Sequence, residues 1–232
     1  MNELVSVIVP LFNTERYIAE ALDSILNQGY SPIEVVVVDD GSADGGPEIV
    51  EAYGQPVRLI RQSNQGPGGA RNTGIRHSTG DLLAFLDADD VWEADKLEIQ
   101  LAAIKDDPTV DFVFGHAVQF QSPDIAAVAE SKFRFDDKAM PAHLPGSLLA
   151  KRKSFLRVGY YPLKLVGSEI EWYLKARELE ARIVTLPEVL YRRRLHDRNI
   201  GVLHRDSDRE RLAILKAALD RRRGSDTGPG GR

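Results

Sequence analysis

The first 120 residues alternate two hydrophobic periodicities, and that alternation restricts the fold more than any other property of the chain. Strand-length runs rich in β-branched residues occupy positions 4–9 (LVSVIV), 33–38 (IEVVVV), 57–60 (VRLI), 82–86 (LLAFL) and 111–118 (DFVFGHAV). They are almost continuously apolar, the pattern of strands covered on both faces, as in parallel sheets. Helical spacing fills the intervals. In ERYIAEALDSILNQ, Ile18, Ala21, Leu22 and Ile25 share one face, and in DKLEIQLAAIKDD, Leu97, Leu101 and Ile104 do the same. Strand and helix in turn imply a doubly wound α/β sheet.

The 232 residues suffice for one large domain with a substantial core. A net charge of -5 argues against nucleic acid as the main partner, since phosphate binding wants a broad basic surface. Cysteine is absent, which excludes disulfides and thiolate metal sites and suits the cytosol. No apolar stretch approaches the ~20 residues of a membrane span, and Met1 leads into a strand rather than a signal peptide. A cytoplasmic protein is expected, with peripheral contact at the inner face of the membrane left open.

Beyond residue 120 the pattern loosens. Positions 122–143 read as loops and short elements, and KRKSFLRVG as a helical piece. GSEIEWYLKARELEA opens like a helix, with Ser168 as N-cap and Glu171 completing a capping box. RIVTL and EVLYRRR read as two short strands. Residues 205–223 form a charged amphipathic helix with Leu212, Leu215 and Leu219 on one side, and 224–232 are flexible by composition.

Ligands of doubly wound sheets bind beyond the carboxyl ends of the strands, and here those ends carry unusual chemistry. After the second strand comes DDGSADG. Asp39 or Asp40 can accept hydrogen bonds from a base N–H or a ribose hydroxyl pair, or serve to cap the helix GPEIVEAY. After the third comes NQGPGGARNTG, helical from Pro67 on. Gly68, Gly69 and Gly74 each cost about 1 kcal/mol there relative to Ala, so the backbone must approach a ligand or the sheet closely. Arg71, one turn in, suits a phosphate or ribose.

The fourth strand ends in FLDADD. On extended chain Asp87 and Asp89 face one space, while Asp90 can turn to cap the next helix. Two adjacent carboxylates raise each other's pKa unless a cation lies between them. A solvated acidic turn is one explanation. The apolar strand before it favours another: a hard divalent ion, Mg2+ or Mn2+, held by carboxylate and ligand phosphate oxygens.

The blocks SVIVPLFNTERYIAEALDSILNQ, EVVVVDDGSADG, NQGPGGARNTG and LLAFLDADDVW, in this order and spacing, resemble the nucleotide-binding half of family 2 inverting glycosyltransferases. The resemblance covers roughly residues 4–120, and 146–200 through GSEIEW and YRRRLHDRNIG. It implies a type-A glycosyltransferase fold, a Rossmann-like, mostly parallel central sheet flanked by helices. Residues 1–120 would bind a nucleotide-sugar donor, expected to be a UDP-sugar, and 121–204 an acceptor, whether sugar, lipid or peptide.

Position by position, the resemblance makes Pro10 and Phe12 a wall for the base and Asp40, with Asp39 beside it, the acid that reads the base. Arg71 lies near base and phosphate, Asp87 near the ribose, and Asp89 on the metal, Mn2+ or Mg2+. Asn13, Glu15, Asn64, Gly69 and Ala88 complete the nucleotide-binding set. The family's acidic pair at the helix start reads Ser168-Glu169 here, which makes Glu169 the catalytic base, with Asp136 and Asp137 in reserve. His196 and Arg194 are candidates for the diphosphate or metal. A nucleotidyltransferase is disfavoured because PLFNTE carries no glycine-rich phosphate loop. A binding-only module, kept open by Ser168, and a homodimer remain alternatives.

Overall fold

The computed structural model describes residues 3–122, 137–164, 166–196, 199 and 207–226. Among them the chain forms β1 (Val5–Leu11), α1 (Ile18–Leu26), β2 (Ile33–Asp39), α2 (Gly46–Tyr53), β3 (Val57–Arg61), α3 (Gly66–His77) and β4 (Leu82–Phe85). There follow β5 (Val91–Trp92), α4 (Lys96–Asp106), β6 (Phe112–Gln121), β7 (Met140–Ala142), β8 (Leu149–Lys151) and α5 (Arg152–Val158). The last elements are α6 (Ser168–Glu178), β9 (Ile183–Leu195) and α7 (Ser207–Asp226).

One sheet runs in the order β3-β2-β1-β4-β8-β6-β9-β5, with β7 paired to β6. Strands β3, β2, β1 and β4 are parallel. Strand β8 is antiparallel to both β4 and β6, so β6 resumes the common direction and β9 continues it. The carboxyl ends of β1, β2, β4, β6 and β9 therefore open on one edge.

Both faces of the sheet are covered, which is why the strands read as unbroken apolar runs. Val5, Val7, Val9 and Leu11 of β1 join Val35 and Val37 beneath Ile18, Leu22 and Ile25 of α1, Val50 of α2 and Leu97 of α4. Ile8, Leu83, Phe85 and Phe112 point the other way, onto Ile75 of α3, Phe155 of α5 and Trp172 of α6. Gly74 of α3 crosses β1 so closely that an added Cβ would lie 2.4 Å from Cγ2 of Ile8. An added Cβ at Gly68 would lie 2.7 Å from the Pro162 carbonyl. Close packing accounts for these two helical glycines.

Lys96 is fully buried in this core. Its Nζ donates to Gln100 Oε1 at 2.6 Å and lies 4.3 Å from the Trp92 ring centroid. Burial holds this ammonium well below the usual lysine pKa.

Four expectations need correction. The two strands over 182–194 are one, β9, and Pro187 lies in it where the pairing with β6 shifts register, so its missing N–H breaks no regular ladder. Helix α7 runs to Asp226 rather than 223. Asp90 does not cap α4, whose N-cap is Asp95 without a side-chain bond. Ser168 is the first helical residue, preceded by Gly167 at φ 77°, and no capping box forms; Glu171 pairs instead with Lys164. Asp136 and Arg198 lie outside the described residues, and Asp137 is exposed. No described helix is long and apolar enough to cross a membrane.

Candidate active site

The open edge begins where β1 outruns β4. The Ile8 carbonyl accepts from Leu86, whereas the Leu11 carbonyl accepts from Asp40. Backbone groups alternate sides along a strand, so Pro10 turns its nitrogen toward the β4 side, past that strand's end, where no partner is needed. Phe12 follows with 48% of its surface exposed. Asn13, at φ 52°, ties the loops after β1 and β2 together: its N–H donates to Ser42 Oγ at 3.1 Å and its Oδ1 accepts from Ala43 at 2.8 Å. Glu15 repeats the tie, with its N–H on Asp44 Oδ2 and its Oε2 accepting from Gly45, both at 2.9 Å.

The two acids after β2 have separate employment. Asp39 Oδ1 accepts from the Ser42 N–H at 2.8 Å and fixes the turn. Asp40 is buried, and its Oδ1 takes Gln62 Nε2 at 2.7 Å and the Gln65 N–H at 2.8 Å. Those donors orient the carboxylate at the start of α3. Asn64 Oδ1 accepts from Gly66 at 3.2 Å, and an added Cβ at Gly69 would meet Gln65 and Leu163. Ala88 is buried beneath the acidic loop.

Arg71 is 4% exposed and pairs with the half-exposed Asp87, its guanidinium 5.7 Å from the Tyr161 ring centroid. Burial pulls its pKa down, but Asp87, Tyr161 and Glu169 outweigh that and raise it, so the charge is secure. Arg71 thus lies in the field of both Asp87 and Glu169, which the sequence separates by 82 positions (169 − 87). Asn72, the next residue, clamps the Tyr161 backbone twice, Nδ2 to its carbonyl at 2.8 Å and Oδ1 from its N–H at 2.9 Å. Glu169 occupies the first turn of α6, where unpaired N–H groups favour negative charge, and Ser168 Oγ donates to its Oε2 at 3.3 Å. Glu169 also lines a cavity of about 10 Å³ with Tyr161, Trp172, Tyr173 and His143.

The acidic corner has more positive company than its sequence suggests. Asp89 Oδ2 meets His196 Nε2 at 2.8 Å and accepts from Asn199 Nδ2 at 3.3 Å. Asp90 is buried, accepts the Arg194 N–H at 2.8 Å, and is pushed well above the usual carboxylate range by burial and by Asp89 and Asp87. Alternation along β9 separates the three arginines. Arg192 and Arg194 lie against Phe120 at 4.6 and 4.4 Å, whereas Arg193 feels Asp90, Asp87 and Asp89. Arg194 is engaged as a tether: it bonds Glu20 Oε2 at 2.5 Å and the Asp89 carbonyl at 2.8 Å.

Asp89 and His196 bring a hard oxygen and an imidazole nitrogen together on one side of the corner. Among the described residues no cluster of three or more ligating side chains exists. A divalent cation would draw two protein donors here and take its remaining oxygens from a bound ligand or water, which fits Mn2+ or Mg2+ carried with a diphosphate.

Asn72, Tyr161 and Asn199 were not singled out from the sequence as site residues, and Arg193 was offered only within the basic run Arg192-Arg193-Arg194. Strand alternation was the available signal for Arg193; for Tyr161, a lone aromatic between α5 and α6, there was none.

A mostly parallel sheet flanked by helices, with Asp40, Arg71, Asp87 and Asp89 along one carboxyl edge and Glu169 at a helix start, has the type-A glycosyltransferase fold. Solved structures agree. The TarS 1-349 fragment of S. aureus in complex with UDP-GlcNAc superposes at TM-score 0.70, with 25% identity over 92% of this chain and 65% of that one. The mannosyltransferase PcManGT from Pyrobaculum calidifontis in complex with GDP-Man and Mn2+ gives 0.67, with 28% identity over 94% and 64%. The chain belongs to glycosyl transferase family 2, whose model matches residues 6–156. The putative glycosyltransferase EpsH of Bacillus subtilis is 40% identical over 120 residues, 50% of this chain and 35% of its own length. An uncharacterized glycosyltransferase of Nostoc sp. is 45% identical over 98 residues, 40% of this chain and 30% of its own. This chain thus spans about a third of the length of these relatives.

Proposed function

We propose that the protein moves a glycosyl group from a nucleoside diphosphate sugar, with UDP as the nucleotide, to an acceptor hydroxyl with inversion at the anomeric carbon. The observation that carries this reading is the convergence of Asp89 and His196 on the edge that also holds Asp40, Arg71 and Asp87. Asp40 reads the base, with its carboxylate set by Gln62 and Gln65. Asp87, held by Arg71, takes the ribose. Asp89 and His196 hold a divalent cation, which when bound acts as a Lewis acid toward the departing diphosphate.

Glu169 is the base. As the acceptor oxygen bonds to the anomeric carbon, its proton passes to the Glu169 carboxylate and the bond to the diphosphate breaks with its electron pair on the phosphate oxygen. One displacement with one base inverts the configuration. Ser168 Oγ, donating to Oε2, orients this carboxylate. UDP is favoured by the likeness to TarS, whose structure holds UDP-GlcNAc.

Thermal-shift titration with UDP, GDP, CDP and dTDP, each with Mn2+, tests the donor. The largest rise is expected with UDP; a larger rise with GDP overturns the UDP assignment, and no rise with any nucleotide overturns the whole reading. Release of UDP from a UDP-sugar, abolished in Glu169→Gln, separates an enzyme from a module that only binds.

A further inference from the structure

Asn199 follows the end of β9 and uses both ends of its carboxamide. Oδ1 accepts the His196 N–H at 2.7 Å, and the Asn199 N–H returns to the His196 carbonyl at 3.2 Å. Nδ2 donates to Asp89 Oδ2 and to the Arg194 carbonyl, both at 3.3 Å. The amide has one workable orientation, because reversing it would set its oxygen against a carboxylate and a carbonyl. Asn199 is buried, and the His196 ring is bounded on another side by Tyr17, centroid to centroid 4.9 Å.

We propose that Asn199 is a positioning residue for the cation site, coupling Asp89 to His196 across 107 positions of sequence (196 − 89). The inference rests on the reading of those two as the cation's protein ligands. One side chain fixes the main chain that carries the imidazole and restrains the carboxylate that faces it. Asp89 Oδ2 is shared by two donors. When the imidazole turns its nitrogen from Asp89 to a cation, the Asn199 amide is the donor that keeps the carboxylate from rotating. Outer-shell partners of this kind typically change metal affinity about 10–100-fold when removed.

The test is a Mn2+ titration of the full chain with saturating UDP, read by the electron paramagnetic resonance of free Mn2+. Metal-free UDP affinity and metal-free Tm are measured alongside. Asn199→Ala should bind Mn2+ about 10–100-fold more weakly than the native protein, with metal-free UDP affinity unchanged and a lower Tm from the buried bonds lost. Asn199→Ser, which keeps a short donor and acceptor, should recover part of the loss. In an Asp89→Asn background, Asn199→Ala should cause no further loss. Native Mn2+ affinity in Asn199→Ala overturns the inference, as does an equal fall in metal-free UDP binding, which would mark a purely structural role. If the native protein takes up no Mn2+, the cation reading itself fails and the inference falls with it.

Discussion

Asp89 donates no proton and fills no core, so its replacement isolates the electrostatic part of the site. On the proposed function Asp89→Ala removes a cation ligand, and with it the carboxylate that meets His196 Nε2 at 2.8 Å. We expect Mn2+-dependent turnover to be lost while metal-free UDP affinity stays within about threefold, as measured by turnover assay and calorimetry. Lys96 makes a different prediction, for stability. Its folded pKa lies below its unfolded value, so above about pH 10.5 neither state is charged and no penalty exists. As pH falls through the unfolded pKa, the unfolded chain takes up a proton that the folded core resists, and stability is lost. The stability of Lys96→Met relative to the native protein should therefore rise as pH drops from about 10.5 toward neutral, in urea denaturation curves at matched pH. Positions were legible where chemistry and strand end coincide: Asp40, Arg71, Asp87 and Asp89 lie along one carboxyl edge, as their places after β2, β3 and β4 imply. The surroundings of Arg194 were not legible, because a run of three arginines says nothing of the Glu20 carboxylate and the aromatic rings that engage this one.

Elements fix how precisely those residues meet. Helix α3 can rest on β1 only because Gly74 has no side chain. Gly74→Ala should cost about 1–3 kcal/mol in chemical denaturation, the usual range for overpacking, and most of that cost should vanish when Ile8 is also Ala. Glu171→Gln, by contrast, should change stability by less than about 0.5 kcal/mol, because its partner is a solvent-exposed lysine and no capping box depends on it. Strands β1 to β4 and helices α1 to α4 were readable because local periodicity and burial agree. The start of α6 misled because Ser-x-x-Glu has the spacing of a capping box, while a left-handed Gly167 brings the chain in at another angle. Strand β9 looked like two pieces because Pro187 interrupts a pattern that the neighbouring strand tolerates through a shift of register.

At the scale of the molecule, helix α7 contributes no described side chain to the groups set out above and packs on α6. It rests on α6 through Ile214 near Gly167 and through the Arg221–Glu178 pair, and Leu212 and Leu219 stay more than half exposed. A chain ending at residue 206 should keep native UDP affinity in calorimetry while its Tm falls. The insertion of β8 between β4 and β6 could not be read from the sequence, since a three-residue strand carries no periodicity and its place is set by contacts from opposite ends of the chain. That insertion has a mechanical consequence. The half of the molecule that carries Asp40 and Asp89 and the half that carries β6 and β9 are stitched into one hydrogen-bonded ribbon. Swinging those halves against each other would break the backbone hydrogen bonds of β8, so amide exchange in β4, β8 and β6 should stay unchanged when UDP and Mn2+ are added.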